Sequence, residues 1–374
     1  MLHAKKALEH LATDQQQVYR AAYPGYPSNF TRDSLTYGLL ADDLDALQAQ
    51  IAFSAEHQGT KSDPVTGEEP GKIHHEFPGV KLRGLDTTYN ACDTTALFLL
   101  AIAKLARSER PEVLRRYRDN IDRALGYIAA HTVDGVFTED PKPSGAEKFA
   151  LKVTYWKDSE LNTIEREPHY PIAYSLVHFQ NKAAVQEMGH LLRHGGLLDR
   201  AWNMTFRGIQ TFWNKDHFVI AKETNGRVVD TLSSDSLHTL LYIEPHEIED
   251  LYPLRIVEYS EQLVTDIGYL PAISNVEGLD PYHIDHVWVH EQALLHAAAR
   301  RHSLRRAEAV ASRIIPAIQN SFPELVDPGT KKHAGNPTQL WAIGAYLYFK
   351  RLEAEILLGS QFIRQKDVVG EGIE

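Results

Sequence analysis

The feature that most restricts this chain is a series of helical patterns joined by connections that alternate between short and long. Residues 1–20 read as a helix with Leu2, Leu8, Leu11 and Val18 roughly on one face. After a turn-rich loop, Leu35, Leu39, Leu40, Leu44, Leu47, Ile51 and Phe53 carry one long helical pattern. Further patterns cover 89–106, 113–130, 172–192, 198–211, 237–242, 253–267, 286–301, 304–318 and 338–358, which makes ten or eleven helices in all. Strand signals are few, the best being the FVIA run at 218–221 and Val228 with Val229. Paired helices without a composition break predict an all-α chain closed into a barrel of helical hairpins, and the lack of an exact repeat argues against a solenoid. The unusual loops at 22–32, 58–88, 131–168, 268–285 and 320–337 recur about every two helices, a spacing that gathers them at one end. A loop of the length of 58–88 exceeds what a connection needs, which points to function. The expected organisation is one barrel over 1–358 with a loosely docked C-terminal tail, 359–374.

Composition narrows the function. Thirty-nine Lys and Arg against 50 Asp and Glu give a net charge of −11, with no basic tract able to neutralise a run of phosphates. Nucleic acid is therefore not an expected partner, and a neutral ligand such as a carbohydrate suits the chain better. Cys92 is the only cysteine, which permits a reducing compartment. The first residues lack the apolar core of a signal peptide, and the longest apolar run, 96–103, falls far short of the ~20 residues that span a bilayer. The expectation is a soluble cytoplasmic protein with no membrane contact.

Chemistry concentrates at loop ends. In the LKVTYWKDSEL stretch at 151–161, a β-branched and aromatic run delivers Trp156, Asp158 and Ser159. An indole beside a carboxylate gives a pyranose a stacking face and dries the carboxyl towards a general acid. The same Asp158 or Ser159 could instead cap a helix. Arg32 and Asp33, in the NFTRDS segment, would hold sugar hydroxyls, with the arginine fixing the geometry of the aspartate, or would simply begin a helix. Asp93, in YNACDTT, poses the same pair of readings. The glycine-rich loop GEEPGKIHHE at 67–76 lacks a phosphate-loop pattern, and its adjacent His74, His75 and Glu76 make no tidy chelate, so neither a metal nor a cofactor is expected. Trp288 and Glu291 open another helical pattern, where Trp288 could be core and Glu291 a solvated first-turn acid. Glu324, after Pro323, could be an exposed turn residue.

Together these segments resemble, in the same order over roughly 22–350, the inverting six-hairpin α-glycosidases. The similarity is greatest to the amylo-α-1,6-glucosidase domain of glycogen debranching enzyme, with glucoamylase, trehalase and processing α-glucosidase I as wider relatives. NFTRDS is similar to the family's R-D-T helix start, GEEPGKIHHE to its G-E-x-P-G-K-I-x-H-E loop, and YNACDTTALF to its Y-N-x-x-D-A start. The TYWKD run matches the T-W-x-D segment of the general acid with one extra residue. FPEL followed by TQLWA is similar to the L-P-E-L and T-Q-A-W-S pair that carries the general base. The resemblance implies an (α/α)6 toroid in which Asp158 is the acid and Glu324 the base of an inverting hydrolysis of a small α-glucoside or oligosaccharide. Such a pair stands ~6.5–9.5 Å apart to admit a water. It implies sugar contacts from Arg32, Asp33, Glu76, Tyr89, Asp93 and Gln339, stacking walls at Trp156, Trp288 and Trp341, and no cofactor. Lys157, Leu340 and Ala342 depart from the family pattern at positions expected near the substrate. Two other readings stand beside this one. The 19 histidines permit a sugar epimerase using His75, His286 and His290, and a barrel that binds glycans without turnover fits the same aromatics. Glu291 is the alternative base.

Overall fold

The computed structural model describes residues 2–13, 18–108, 110–158, 167–273 and 281–370, the side chains of 281 and 358–370 excepted. Within these residues lie helices α1 (Leu2–Leu11), α2 (Thr31–Ala41), α3 (Leu44–Glu56), α4 (Thr94–Arg107), α5 (Glu112–Arg116) and α6 (Arg118–Ala130). They are followed by α7 (Ser175–Leu191), α8 (Gly195–Phe212), α9 (Asp235–Thr239), α10 (Leu251–Ser260), α11 (Val289–Arg301), α12 (Arg305–Ala311) and α13 (Leu340–Gly370). Helices α2, α4, α7, α9, α11 and α13 each pack on the next, and α13 returns to pack on α2. That closes an inner ring of six. The others form an outer layer: α3 on α2 and α4, α5 and α6 on α4, α8 on α7, α10 on α9, α12 on α11, and α1 on α13. The fold is an (α/α)6 toroid.

Burial explains which helices go inside. Ten of the fourteen residues of α4 are buried, as an element packed on every side requires. Outer α8 buries Leu197, Ala201, Met204, Thr205, Gly208 and Phe212, a single stripe at helical spacing. The ring closes through an apolar cluster of Leu11, Tyr37, Leu40, Val289, Ile314, Leu340, Ile343 and Phe349. Gly344 lets α13 approach α2 there, because a Cβ at that position would come within 3.0 Å of Tyr37 Cα.

Several helical expectations shorten. The pattern from Leu35 to Phe53 is two helices, broken where Asp42 adopts φ 60° and Asp43 caps α3 by accepting from Ala46 N–H. A continuous hydrophobic period cannot reveal such a reversal, because both arms of a hairpin bury the same kind of face. The first helix stops at Leu11, and residues 14–17 of the expected 1–20 helix lie outside the described residues. Residues 172–174, 287–288 and 338–339, read as helix starts, are short strands that lead into α7, α11 and α13. Asn29–Phe30 leads into α2 in the same way. These segments pair across loops: Asn29–Phe30 with Glu76–Phe77, Val287–Trp288 with Leu325–Val326, and Thr338–Gln339 with Ala22–Tyr23. Such non-local partners outweigh helical periodicity and pin the loops around one end of the ring. The backbone of α13 runs unbroken to Gly370, past the expected start of the tail. No helix among the described residues is long and apolar enough to cross a membrane.

Candidate active site

The pinned loops enclose a cavity of about 440 Å³ at the end of the toroid where the inner helices begin. Its wall includes Arg32, Asp33, Glu76, Trp156, Asp158, Trp288, Glu324, Gln339 and Trp341. These come from loops and helix starts spread over more than three hundred residues, and ring closure brings them together. Tyr89 and Asp93 do not reach this wall. Tyr89 donates its hydroxyl to the His57 carbonyl at 2.8 Å, and Asp93 is buried behind Arg32 as its counter-charge.

Arg32 organises the acid side. Its Nε and Nη2 fork onto the Asp93 carboxylate at 2.6 and 3.1 Å, a bidentate geometry that locks the guanidinium plane. The remaining Nη1 lies 3.6 Å from Asp158 Oδ2. The Asp158 side chain keeps 32% of its surface exposed. Surrounding protein nevertheless pushes its pKa up to about 6, against the opposing pull of Arg32 and with help from Asp93 and Glu324. Asp33 is almost wholly buried, accepts a hydrogen bond from Gln339 Nε2 at 2.9 Å, and is driven well above the usual carboxylate range by burial. Glu76 accepts from the Thr87 hydroxyl, and burial raises it to about 7.

Glu324 sits in a different setting. It is 1% exposed, and three donors converge on its carboxylate: the Tyr282 hydroxyl, and the backbone N–H and side-chain amide of Asn336, the last two at 2.9 Å. Gly335, at φ +66°, makes this cradle possible, because a Cβ there would lie 2.5 Å from Glu324 Oε2. Glu324 is therefore no exposed turn residue. The aromatic wall is equally fixed. Trp341 stacks on His290 at 3.7 Å, Trp288 stacks on His283 at 4.6 Å and donates to the Tyr282 carbonyl, and Trp156 and Trp341 each meet Trp288 edge-on at 5.7 Å.

Other expectations need correction. Lys157, Leu340 and Ala342 do not line the cavity. Leu340 and Ala342 belong to the ring-closing core, and the Lys157 ammonium is buried away from the cavity against Asp235. Glu291 is not a solvated acid: it is fully buried, bonded to the Ser234 hydroxyl, raised by burial to about 7, and absent from the cavity wall. Of the histidines considered for epimerase chemistry, only His75 lines the cavity. Burial holds His75 and His290 far below the ordinary imidazole range, which leaves them weak bases. Ser159, the alternative helix cap, lies outside the described residues, as do 274–280 of the 268–285 loop. Sequence reasoning missed Tyr282 and Asn336, and also Tyr26, which lines the cavity with its hydroxyl 3.3 Å from that of Tyr282. The only signals were aromatics inside loops of unusual length and a Gly-Asn-Pro turn after Glu324. Among the described residues no group of three or more His, Cys, Asp or Glu has the arrangement to hold a metal ion.

No protein-family model and no curated protein matches the chain. Solved structures do. A family-63 mannosylglycerate hydrolase from Thermus thermophilus, in complex with glucose, superposes with a TM-score of 0.67 at 13% identity, covering 93% of this chain and 99% of that one. The same hydrolase with Tris and D-glycerate aligns equally well at 12% identity. A wild-type glycosidase aligns with a TM-score of 0.63 at 16% identity, covering 93% of this chain and 95% of that one. The chain shares its toroidal fold with these proteins.

Proposed function

We propose that this protein is an inverting glycoside hydrolase acting on a small α-glucoside or α-linked oligosaccharide. The observation that carries the reading is one cavity wall holding two carboxyl groups in opposite settings, flanked by three tryptophans. Asp158, raised to about 6 and partly open to solvent, suits an acid that must hold a proton at near-neutral pH. Glu324, gripped by three donors, suits a carboxylate that accepts one. In the reaction, Asp158 gives its proton to the glycosidic oxygen as the C–O bond breaks. Glu324 takes a proton from the water whose oxygen bonds to the anomeric carbon. Solvent then returns a proton to Asp158 and removes one from Glu324. Asp33, with Gln339, and Arg32 hold sugar hydroxyls, while Trp156, Trp288 and Trp341 face the ring.

The mouth favours a neutral substrate: its described lining carries four carboxyl groups and one cation, and that cation is already paired with Asp93. An aglycone with its own carboxylate, such as the D-glycerate bound by the Thermus hydrolase, would meet that excess of acid. A debranching-type preference for α-1,6 links is the family-level expectation, and a cytoplasmic location belongs to the same reading. A hydrolysis screen over maltose, isomaltose, kojibiose, trehalose and panose, with the product anomer read by NMR, tests the activity, the linkage preference and the stereochemistry. Release of β-glucose from at least one substrate is expected. Oligosaccharide binding without turnover, or interconversion of free sugars, would replace the reading.

A further inference from the structure

The residue before the candidate acid is a lysine that no solvent reaches. Lys157 is 0% exposed, and its Nζ lies 2.7 Å from Asp235 Oδ1, 2.7 Å from Ser233 Oγ, 3.1 Å from Ser234 Oγ and 2.7 Å from the Pro271 carbonyl. Tyr155 reaches the same aspartate, donating its hydroxyl to Asp235 Oδ2 at 2.8 Å. Alternate side chains of this short run face opposite ways. Tyr155 and Lys157 grip the two oxygens of Asp235, while Trp156 and Asp158 face the cavity. Ser234 extends the grip by bonding Glu291, so residues from three separate parts of the ring converge behind the acid.

We infer that Lys157, clamped by Asp235 with Tyr155 alongside, is the positioning residue that sets the place of the general acid Asp158. The inference rests on the functional reading above. It follows from cost and location. Burying an ammonium and a carboxylate is expensive, and an apolar pair of similar volume is often as stable or more so, so such a pair does more to specify geometry than to stabilise. The described residues include three fully buried lysines, Lys72, Lys157 and Lys182. Lys72 ties Glu139 and Glu69 together, and Lys182 pairs with Glu247; neither adjoins a cavity carboxyl. Lys157 is covalently next to one. Among the described residues this segment belongs to no regular helix or strand, and its backbone is tied at Thr154, whose carbonyl accepts from Cys92 N–H, so Lys157 is the side-chain anchor that stands beside Asp158. A displacement of about 1 Å in a catalytic group is enough to cost on the order of 10²-fold in rate.

The test is leaving-group dependence. An α-glucoside series running from alkyl through phenyl to 4-nitrophenyl is assayed with the unaltered enzyme, Lys157→Met, Asp235→Asn and Tyr155→Phe, with Lys182→Met as control. A misplaced acid should lower kcat about 10²-fold on alkyl glucosides, leave 4-nitrophenyl glucoside nearly untouched because that group departs without a proton, and leave KM within a few-fold. Lys182→Met should show no such gradient. A uniform loss across the series in the Lys157 and Asp235 variants, which a fall in folded fraction would produce, overturns the proposal, as does no loss at all. If Lys157→Met yields no folded protein, Asp235→Asn and Tyr155→Phe, which keep shape and remove one charge or one hydroxyl, decide by the same gradient. Turnover of no glucoside by the unaltered enzyme removes the functional reading and this proposal together; turnover with a uniform loss removes the proposal alone.

Discussion

The two ends of the toroid hold cavities of similar size and opposite character. The mouth encloses about 440 Å³ and the far end about 370 Å³. At the mouth the inner helices begin, and Asp33, Glu76, Asp158 and Glu324 share a single arginine among the described lining residues. The far-end cavity is lined by Leu39, Leu97, Leu100, Leu241 and Leu294, under a rim on which Lys104, Arg107, Arg301 and Arg351 outnumber Glu187 and Glu244. Lys104 meets Asp42 at 2.6 Å, Arg107 meets Glu187 at 2.7 Å, and Arg301 meets Glu244 at 2.8 Å. Part of this sorting is the helix dipole, which favours anions where helices begin and cations where they end. The dipole accounts for Lys104 and Arg107 in the last turn of α4. It does not account for four carboxyl groups held together in one cavity, an arrangement that costs stability and is characteristic of functional sites. Cavity volume does not separate the two ends; the kind of ionisable group in excess does, carboxyl groups at the mouth and cations at the far end.

The comparison breaks most readily at Glu324. Glu324→Gln should lower kcat by about 10²–10⁴-fold on every substrate whatever the leaving group. Asp158→Asn should lose as much on alkyl glucosides yet recover on a substrate with a good leaving group. Equal recovery by both variants would show that the two carboxyl groups are not an acid and a base.

A pH profile sharpens the acid side. Asp158 must be protonated to act, and its raised pKa keeps it so up to about pH 6, so kcat/KM should fall as pH rises through that point. Asp93→Asn removes a negative charge that raises Asp158 and also releases Arg32, whose pull lowers it. Both changes have the same sign, so the alkaline limb should move to lower pH. A limb that stays in place or moves up would show that Asp158 does not titrate there.

Gly335→Ala tests the cradle of Glu324. The new methyl would press on Oε2 from a backbone held at φ +66°, and overpacking of this kind costs about 1–3 kcal/mol. Thermal unfolding should report the loss, and kcat should fall further than the unfolded fraction explains.

The smallest effect belongs to the far end. Arg301→Ala removes a rim pair whose side chains are more than a third exposed, so it should cost under about 1 kcal/mol in denaturant unfolding and leave kcat unchanged. A loss of activity comparable to the mouth variants would mean that the two ends are coupled.

What the sequence by itself determined is whatever neighbours along the chain encode. The helical period, the recurrence of long loops every two helices, and a tryptophan or proline beside each of Asp158 and Glu324 were legible because each is local. Only the tertiary structure decided partnership. Arg32 forks onto Asp93, sixty-one positions away, which turns an expected sugar ligand into a counter-charge. Gln339 reaches Asp33 across 306 positions, and Tyr282 and Asn336 converge on Glu324 from separate loops. Lys157 and Glu291, read as a substrate neighbour and a solvated acid, are buried together behind the cavity wall. No pattern in the chain foretells such pairings, because they exist only once six hairpins have closed. Ring closure sets which buried charges meet, and desolvation then decides which of them keep their protons.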